Sequence, residues 1–562
     1  RQRQLAEPSV RHFLARMERK TARSAGRFSV LDLIDDGADL ARELRAVRTL
    51  GDTEREVALA RLIDPVVEIC EAGAKCPDTG LALTDIWRYF RHTWAHEYRA
   101  IPGRQMLVLV RNAARPRRPV LGIAMLASPV MRLACRDSWI GWLRDDARAR
   151  IATGAWQAPA FADALLSRID ASISNIRWDD LASSDEIVCP SDTVSLRLEQ
   201  RASGAASARE AQLRAHFEQH RDERGRVKPH RGDVKFANAS TDWRLASEDL
   251  LFVRKRAEGL AQLLFAKRIF AAAGLAASPD SALSELFASP SGQRAIEITL
   301  AEFRKAGLSS QVADVSICGA VHPYNQLLGG KLVALLLASR EVSDAYARRY
   351  GAQVSVIASQ MAGRPVTKPA ELRILTTTSL YGVGSSQYNR LVLAAADHPE
   401  LEQDLRWGAI GKSLTGGFGT LHLGAETAHA LRSMAVQRHV ARRVNNRFGE
   451  GTSPRLRQIR EGLDALGLKS DAILHHATPR LFYGCELDSK AREALLGMTD
   501  VSTHAPSVHG IGAAWRRRWL NARVKREETL VRLAVLGPNS VWATLHADAD
   551  GQLSLPIEEP RE

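Results

Sequence analysis

Residues 312–360 read VADVSICGAVHPYNQLLGGKLVALLLASREVSDAYARRYGAQVSVIASQ. The first ten (312–321) are apolar and β-branched, as in a buried strand. Apolar residues at helical spacing then run over 327–351. Gly329-Gly330 enter that helix, and Arg348, Arg349 and Gly351 close it with a basic last turn and a C-terminal glycine. QVSVIASQ (353–360) reads as a second strand and ELRILTTTSLYG (371–382) as a third. Strand, helix and strand with a buried middle favour a right-handed crossover. The stretch therefore indicates an α/β core.

Upstream, QMLVLVRN (105–112) and PVLGIAMLAS (119–128) flank the basic turn AARPRR (113–118), the pattern of an antiparallel hairpin. RDSWIGW (136–142) returns to a helical pattern. Downstream, WGAIGKSLTGGFGTLHL (407–423) reads as a strand pair around Gly416-Gly417. The periphery reads as helical. DTEREVALARLIDPVVEICEAGA is one long amphipathic run, and SVWATLHA (540–547) is a candidate last strand. The expected organisation is a helical N-terminal region (1–100) and a first part of the core (101–145). A mostly helical insertion (146–310) follows, with an exposed helix or linker near 195–240. The second part of the core (311–424) precedes a helical, basic C-terminal region (425–562).

The chain has 562 residues, too many for one ordinary core. Its formal charge is +14, and Arg supplies most of it. Arg suits phosphate and carboxylate because its planar fork is always charged; compositional bias alone would also enrich it. Six cysteines are scattered without a CxxC pair, and no histidines fall at zinc spacing, so no metal is expected. The apolar run KLVALLLAS (331–339) is half of the roughly 18 residues a membrane span needs. RQRQLAEPSV has no apolar segment of a signal peptide. A cytoplasmic protein with free thiols and no membrane partner is the expectation.

Four constellations carry candidate chemistry. In NQLLGGKL (325–332), a glycine pair entering a helix lets amides approach a phosphate, with Lys331 adding charge; it also suits a tight strand–helix junction. The spacing is not that of a Walker loop. TTTSLYGVGSSQYNRL (376–391) ends a strand in polar groups, which beside a buried sheet form either a bonded loop or a site. GGFGTLH (416–422) places His422 among glycines. WRRRW (515–519), RHVARRVNNR (438–447) and VRKR (253–256) mix Arg with aromatic or apolar residues, as for phosphate contact plus stacking, or for a solvated helix face. Paired carboxylates of a metal-dependent nuclease are not visible between 375 and 425.

RDSWIGW, HPYNQLLGGKLVALLLAS, RRYG, TTTSLYGVGSSQYNRL and GGFGTLH resemble the DruA family, discontinuously over about 90–425. That family is the A component of the Druantia anti-phage defence system and occurs beside or fused to transposases. The resemblance implies antiviral defence or mobile-element association. The element order is also similar to the GNAT acyltransferase fold. That likeness implies a hairpin, a splayed strand, a helix entered by a pyrophosphate loop and a closing strand pair. Gln326, Gly329 and Gly330 fit the loop pattern, whereas Lys331 stands where Gly or Ala is usual. Acyl-CoA is the cofactor such a loop implies, and Tyr381 or Tyr388 corresponds to a general acid.

The reading is an α+β protein with a GNAT-like mixed-sheet core and large helical additions. Its expected partner is nucleic acid, DNA ahead of RNA, together with other defence-system subunits. Tyr324, Asn325, Tyr381, Ser385, Ser386, Gln387, Tyr388, Asn389 and Arg390 are expected to line a pocket. Gln326, Gly329, Gly330 and Lys331 would form an anion site, and Arg516, Arg517, Arg518 and Arg526 would touch phosphates. The rivals are a group transferase acting on nucleobases and a scaffold subunit of a defence complex.

Overall fold

In the computed structural model a small hairpin, Thr21–Arg23 (β1) with Gly26–Phe28 (β2), stands apart from the main sheet. The main sheet takes Pro65–Ile69 (β3), Gln105–Asn112 (β4), Val120–Ala127 (β5), Val312–Ala320 (β6), Ile374–Thr378 (β7), Val392–Leu393 (β8), Leu405–Lys412 (β9) and Leu481–Glu486 (β10). Their spatial order is β3-β4-β5-β6-β7-β10-β9-β8. Each neighbouring pair is antiparallel except β6 and β7, which are parallel. The described residues are 2–23, 26–95, 103–219, 238, 240–379, 387–412, 423–438, 454–474, 480–500 and 505–547.

The chain is thus mixed α/β with a predominantly helical periphery. The hairpin expected around residues 113–118 is β4–β5, and its outer neighbours are β3 and β6. One face of the sheet packs on the helices Gly329–Leu336 and Arg340–Tyr350, which follow β6, and on the run Val508–Val524. The opposite face carries the N-terminal helices on β4 and β5, and a second helical core from residues 140–308 beside them. At Gly122 in β5 a Cβ would meet Val333 and, at 2.7 Å, the carbonyl of Gly319. The missing side chain lets the helix Gly329–Leu336 lie directly on the sheet.

Several expectations change. The segment 353–360 forms no strand: Ser355 caps a helix, Val356–Ala362, by accepting from Ala358 N, and Gly363 at φ 65° ends it. The parallel partner of β6 is instead the third expected strand, at 374–378. The helix expected over 327–351 is broken, because Ser339 caps a new helix at Arg340. The amphipathic run at 52–74 stops at Leu62; Pro65 then opens the edge strand β3, where a missing N–H is tolerated. SVWATLHA lies in the helix Pro538–His546, led by a proline at its first position. Of 407–423, β9 is a strand, but it pairs with β8 and β10; residues 413–422 lie outside the described set. Of 195–240, Asp192–Gln219 is a helix and 220–237 lie outside the described residues. The sheet also recruits 65–69 and 481–486, from the two regions expected to be helical.

Candidate functional site

The parallel ladder between β6 and β7 is short. It joins Val312, Ala313 and Asp314 to Ile374, Leu375 and Thr376. Beyond it β6 stays with β5 as far as Ala320, while β7 continues beside β10. The two strands therefore part, and the 3-10 turn Gln387–Arg390 sits at the opening. Tyr388 is buried there, its ring 5.0 Å from Trp407 and 5.4 Å from Tyr483. Its hydroxyl lies among Cys318, Gln387 and Thr377. Thr377 Oγ1 donates to the carbonyl of Val315 at 2.7 Å, and Tyr483 donates to Asn389 Oδ1 at 2.5 Å. Burial raises the Tyr388 phenol well above its ordinary range and pushes the Cys318 thiol up to about 12. Both groups are neutral at physiological pH, so they can position or donate to a ligand but do not act as resting nucleophiles.

Next to this opening the helix Gly329–Leu336 begins. A Cβ on Gly329 would lie 2.9 Å from Ala320 Cβ, and one on Gly330 2.7 Å from Gln387 Oε1. Gly329 is thus held to glycine by close packing on Ala320 and the Tyr324 carbonyl, whereas at Gly330 only the movable tip of the Gln387 side chain stands close. Lys331 Nζ donates to the main-chain oxygen of Gln387 at 3.1 Å. Burial holds Lys331 below the usual lysine range, and the cations Arg390, Arg518 and Arg523 add to the effect. Arg518 Nη1 donates to the carbonyl of Val392 at 2.5 Å, and Trp515 Nε1 to that of Leu328 at 3.3 Å. The basic C-terminal run is thus packed against the helix entrance, and four cations from three parts of the chain converge.

The expected site residues divide accordingly. Gln387, Tyr388, Asn389, Arg390, Gly329, Gly330 and Lys331 come together. Gln326 is half-buried and Asn325 exposed just before the helix. Tyr324 turns elsewhere: it is buried, donates to Asp35 and accepts from Asn112 Nδ2 at 2.9 Å. Arg516 is buried and donates to the carbonyl of Ile63 at 3.0 Å, so its guanidinium is committed to the fold. Arg517 is exposed and pairs with Glu56 at 3.3 Å. Exposed Arg526 lies close enough to Arg523 to repel it. Tyr381, Ser385 and Ser386, like His422, lie outside the described residues. Asp314, Cys318, Thr376, Thr377 and Arg523 were not anticipated. Two signals were legible among them: the threonines that open the polar stretch 376–391, and an acid inside the otherwise apolar run VADVSICGA. Among the described residues, no cluster of three or more His, Cys, Asp or Glu is placed to hold a metal, and no helix is long and apolar enough to cross a membrane.

Residues 80–159 and 297–497, together half of the chain, match the family described as Druantia protein DruA. The chain belongs to the DruA family. Among curated proteins it is similar to the Druantia protein DruA of Escherichia coli (strain UMEA 4076-1), with 35% identity over 213 residues. That alignment covers 37% of this chain and spans about half of the relative, 48% of its length. No solved structure gives a significant match. The DruA match begins within the helix region before β4, omits 160–296, and covers the sheet opening, the helix entrance and β10.

Proposed function

We propose that this DruA-family chain takes part in anti-phage defence, alongside other subunits, by binding nucleic acid at the cationic helix entrance. The observation that carries this reading is the convergence of Lys331, Arg390, Arg518 and Arg523 at one place. Like charges held together cost free energy unless an anion joins them, and phosphates are anions that Arg and Lys take readily. DNA stands ahead of RNA as the partner. The test is binding of labelled single-stranded and duplex DNA and RNA across a salt series. Affinity is expected to fall steeply with salt, and the Lys331→Ala/Arg518→Ala double variant to bind weakly with a shallower slope. Binding that is absent in the unaltered protein, or unchanged in that variant, overturns the reading.

A second reading, a transferase of acyl or related groups acting on nucleobases, is favoured by the strand plan. The hairpin β4–β5, a strand that parts from its parallel neighbour and a glycine-entered helix correspond to the first elements of the GNAT-like order, whereas the strand expected at 353–360 is a helix and β9 pairs with β8 and β10. Tyr388 would then donate a proton at the opening. Lys331 and the snug contact of Gln387 with Gly330 weigh against an acyl-CoA pyrophosphate at that entrance. A rise in melting temperature with millimolar acetyl-CoA would support this reading, since a ligand of the native state must stabilise it; no shift would remove it.

A further inference from the structure

A second basic surface lies near the N-terminal end of the chain, on elements separate from the Lys331 cluster. Residues 19–28 read RKTARSAGRF, with four cations and no acid. They carry the hairpin β1–β2, in which Thr21 faces Phe28, Ala22 faces Arg27 and Arg23 faces Gly26. The hairpin is a two-stranded sheet of its own, so both outer edges lack a partner strand among the described residues. Arg19, Lys20, Thr21, Ala22, Gly26 and Arg27 are exposed. Among the described residues no carboxylate pairs with Arg19, Lys20 or Arg27, and the Arg27 guanidinium donates to the carbonyl of Lys20 at 3.4 Å.

A two-stranded ribbon is marginal by itself, and the β4–β5 turn braces this one. The Arg117 guanidinium stands 5.2 Å from the centre of the Phe28 ring. Arg117 and Arg118 take φ of 59° and 47°. Consecutive positive values are the pattern of a type I′ turn, which Asn and Gly fill with least strain. Pro119, next in the chain, has no N–H to close such a turn. Arg111 holds it instead. Its fully buried guanidinium donates to the carbonyls of Arg117 at 2.8 Å and Arg118 at 2.6 Å, and to Glu68 at 3.0 Å. Two arginines thus occupy positions that backbone sterics favour for Asn and Gly, and a third is buried to keep them there. Strain that the surroundings over-determine in this way points to a use for the side chains it presents. The nearest carboxylates leave both cations available: Asp32 lies 3.8 Å from Arg117 and Asp78 3.7 Å from Arg118, beyond hydrogen-bond distance.

An exposed, acid-free ribbon with cations on both strands and at its base complements a polyanion. Its size favours a duplex. Three strand residues rise about 10 Å, and paired strands lie about 4.8 Å apart. The major groove of DNA is roughly 12 Å wide and 8.5 Å deep and admits a two-stranded ribbon. A peptide strand added to an open edge would gain few main-chain bonds over three residues and would leave the arginines without counter-charge.

We propose that the ribbon β1–β2, braced by Arg117, enters the major groove of duplex DNA, with Arg19, Lys20 and Arg27 on the flanking phosphates and Arg117 and Arg118 at its base. The proposal rests on the nucleic-acid reading above and adds a second, separate contact to it. The probes are a fluorescein-labelled DNA duplex of about two helical turns (roughly 20 base pairs) and one of its strands alone, followed by anisotropy across a salt series. Arg19→Gln/Lys20→Gln/Arg27→Gln is expected to lose about tenfold or more in duplex affinity at low salt, and the slope of log affinity against log salt to fall by about three. Single-strand affinity is expected to change much less. Arg117→Asn/Arg118→Gly, which installs the residues such a turn favours, is expected to melt no lower than the unaltered protein and yet to bind duplex more weakly. A purely structural turn would gain stability and keep its affinity. Duplex binding unchanged in the Gln variant, or an equal loss on the single strand, overturns the proposal and leaves the Lys331 reading to its own double variant. Failure of the unaltered protein to bind either probe overturns both. The Gln variant alters exposed side chains alone, so with unchanged melting it decides the case even where the turn variant unfolds.

Discussion

Lys331 donates to the carbonyl of Gln387, and Arg518 to the carbonyl of Val392, so two cations from distant parts of the chain grip one six-residue segment. Neither bond brings a counter-charge. Replacing Lys331 by Met keeps most of the aliphatic stem and removes one of four converging charges. Nucleic-acid affinity is expected to fall and the slope of log affinity against log salt to drop by about one, as for loss of one phosphate contact. Thermal stability is expected to hold or rise slightly, because mutual repulsion is relieved. A melting curve and a salt titration on the same preparation check both halves.

Tyr388 separates packing from hydrogen bonding. Its ring is wedged between Trp407 and Tyr483, and its hydroxyl sits with Thr377, Gln387 and Cys318. Tyr388→Phe is expected to cost about 1 kcal/mol, the net worth of a typical hydrogen bond. Tyr388→Leu, which opens a cavity beside Trp407, is expected to cost about 3 kcal/mol. Urea denaturation reads both. Loss of function in Tyr388→Phe without loss of stability would mark the hydroxyl as part of the site.

Tyr324 serves a buried network. Burial raises the Asp35 carboxyl above its usual range, while the Tyr324 hydroxyl and Arg115, at 2.8 Å, pull it back. An acid whose folded-state value is raised binds its proton more tightly in the folded protein, so stability falls as pH rises through that window. Tyr324→Phe removes a donor to the carboxylate and is expected to steepen that fall. The expected loss is about 1–3 kcal/mol at pH 8 and less at pH 4, where a larger share of Asp35 carries its proton. Denaturation midpoints at the two pH values test this.

Two glycines should respond in opposite directions to Ala. Gly122→Ala would press a methyl onto Val333 and the carbonyl of Gly319 and lift the helix that carries Lys331, a loss of about 1–3 kcal/mol. Gly204 lies exposed in the helix Asp192–Gln219 with nothing near its virtual Cβ, and Gly204→Ala is expected to gain roughly 0.5–1 kcal/mol. Both are read by thermal melting.

The sequence by itself determined the pieces whose signals are local. Continuous apolar runs on either side of a basic turn specify β4–β5, the β-branched run specifies β6, and the glycine pair specifies where a helix leaves the sheet. The motifs at 325–332 and 376–391 also marked the segments that meet at the opening. What the tertiary structure decided is partnership. LFYGCE at 481–486 gains its place between β7 and β9 only because both neighbours leave backbone groups to satisfy and because Gly484 admits Trp139 over it. Arg516 and Arg518 are two residues apart in one basic run. A π-turn there buries the first on Ile63 and turns the second toward Val392. Tyr324 and Lys331 share a motif, yet one anchors Asp35 and the other joins the cations. Local pattern records which residues prefer burial or a turn; which charges end up adjacent depends on contacts hundreds of residues apart, and these exist only once the sheet has closed.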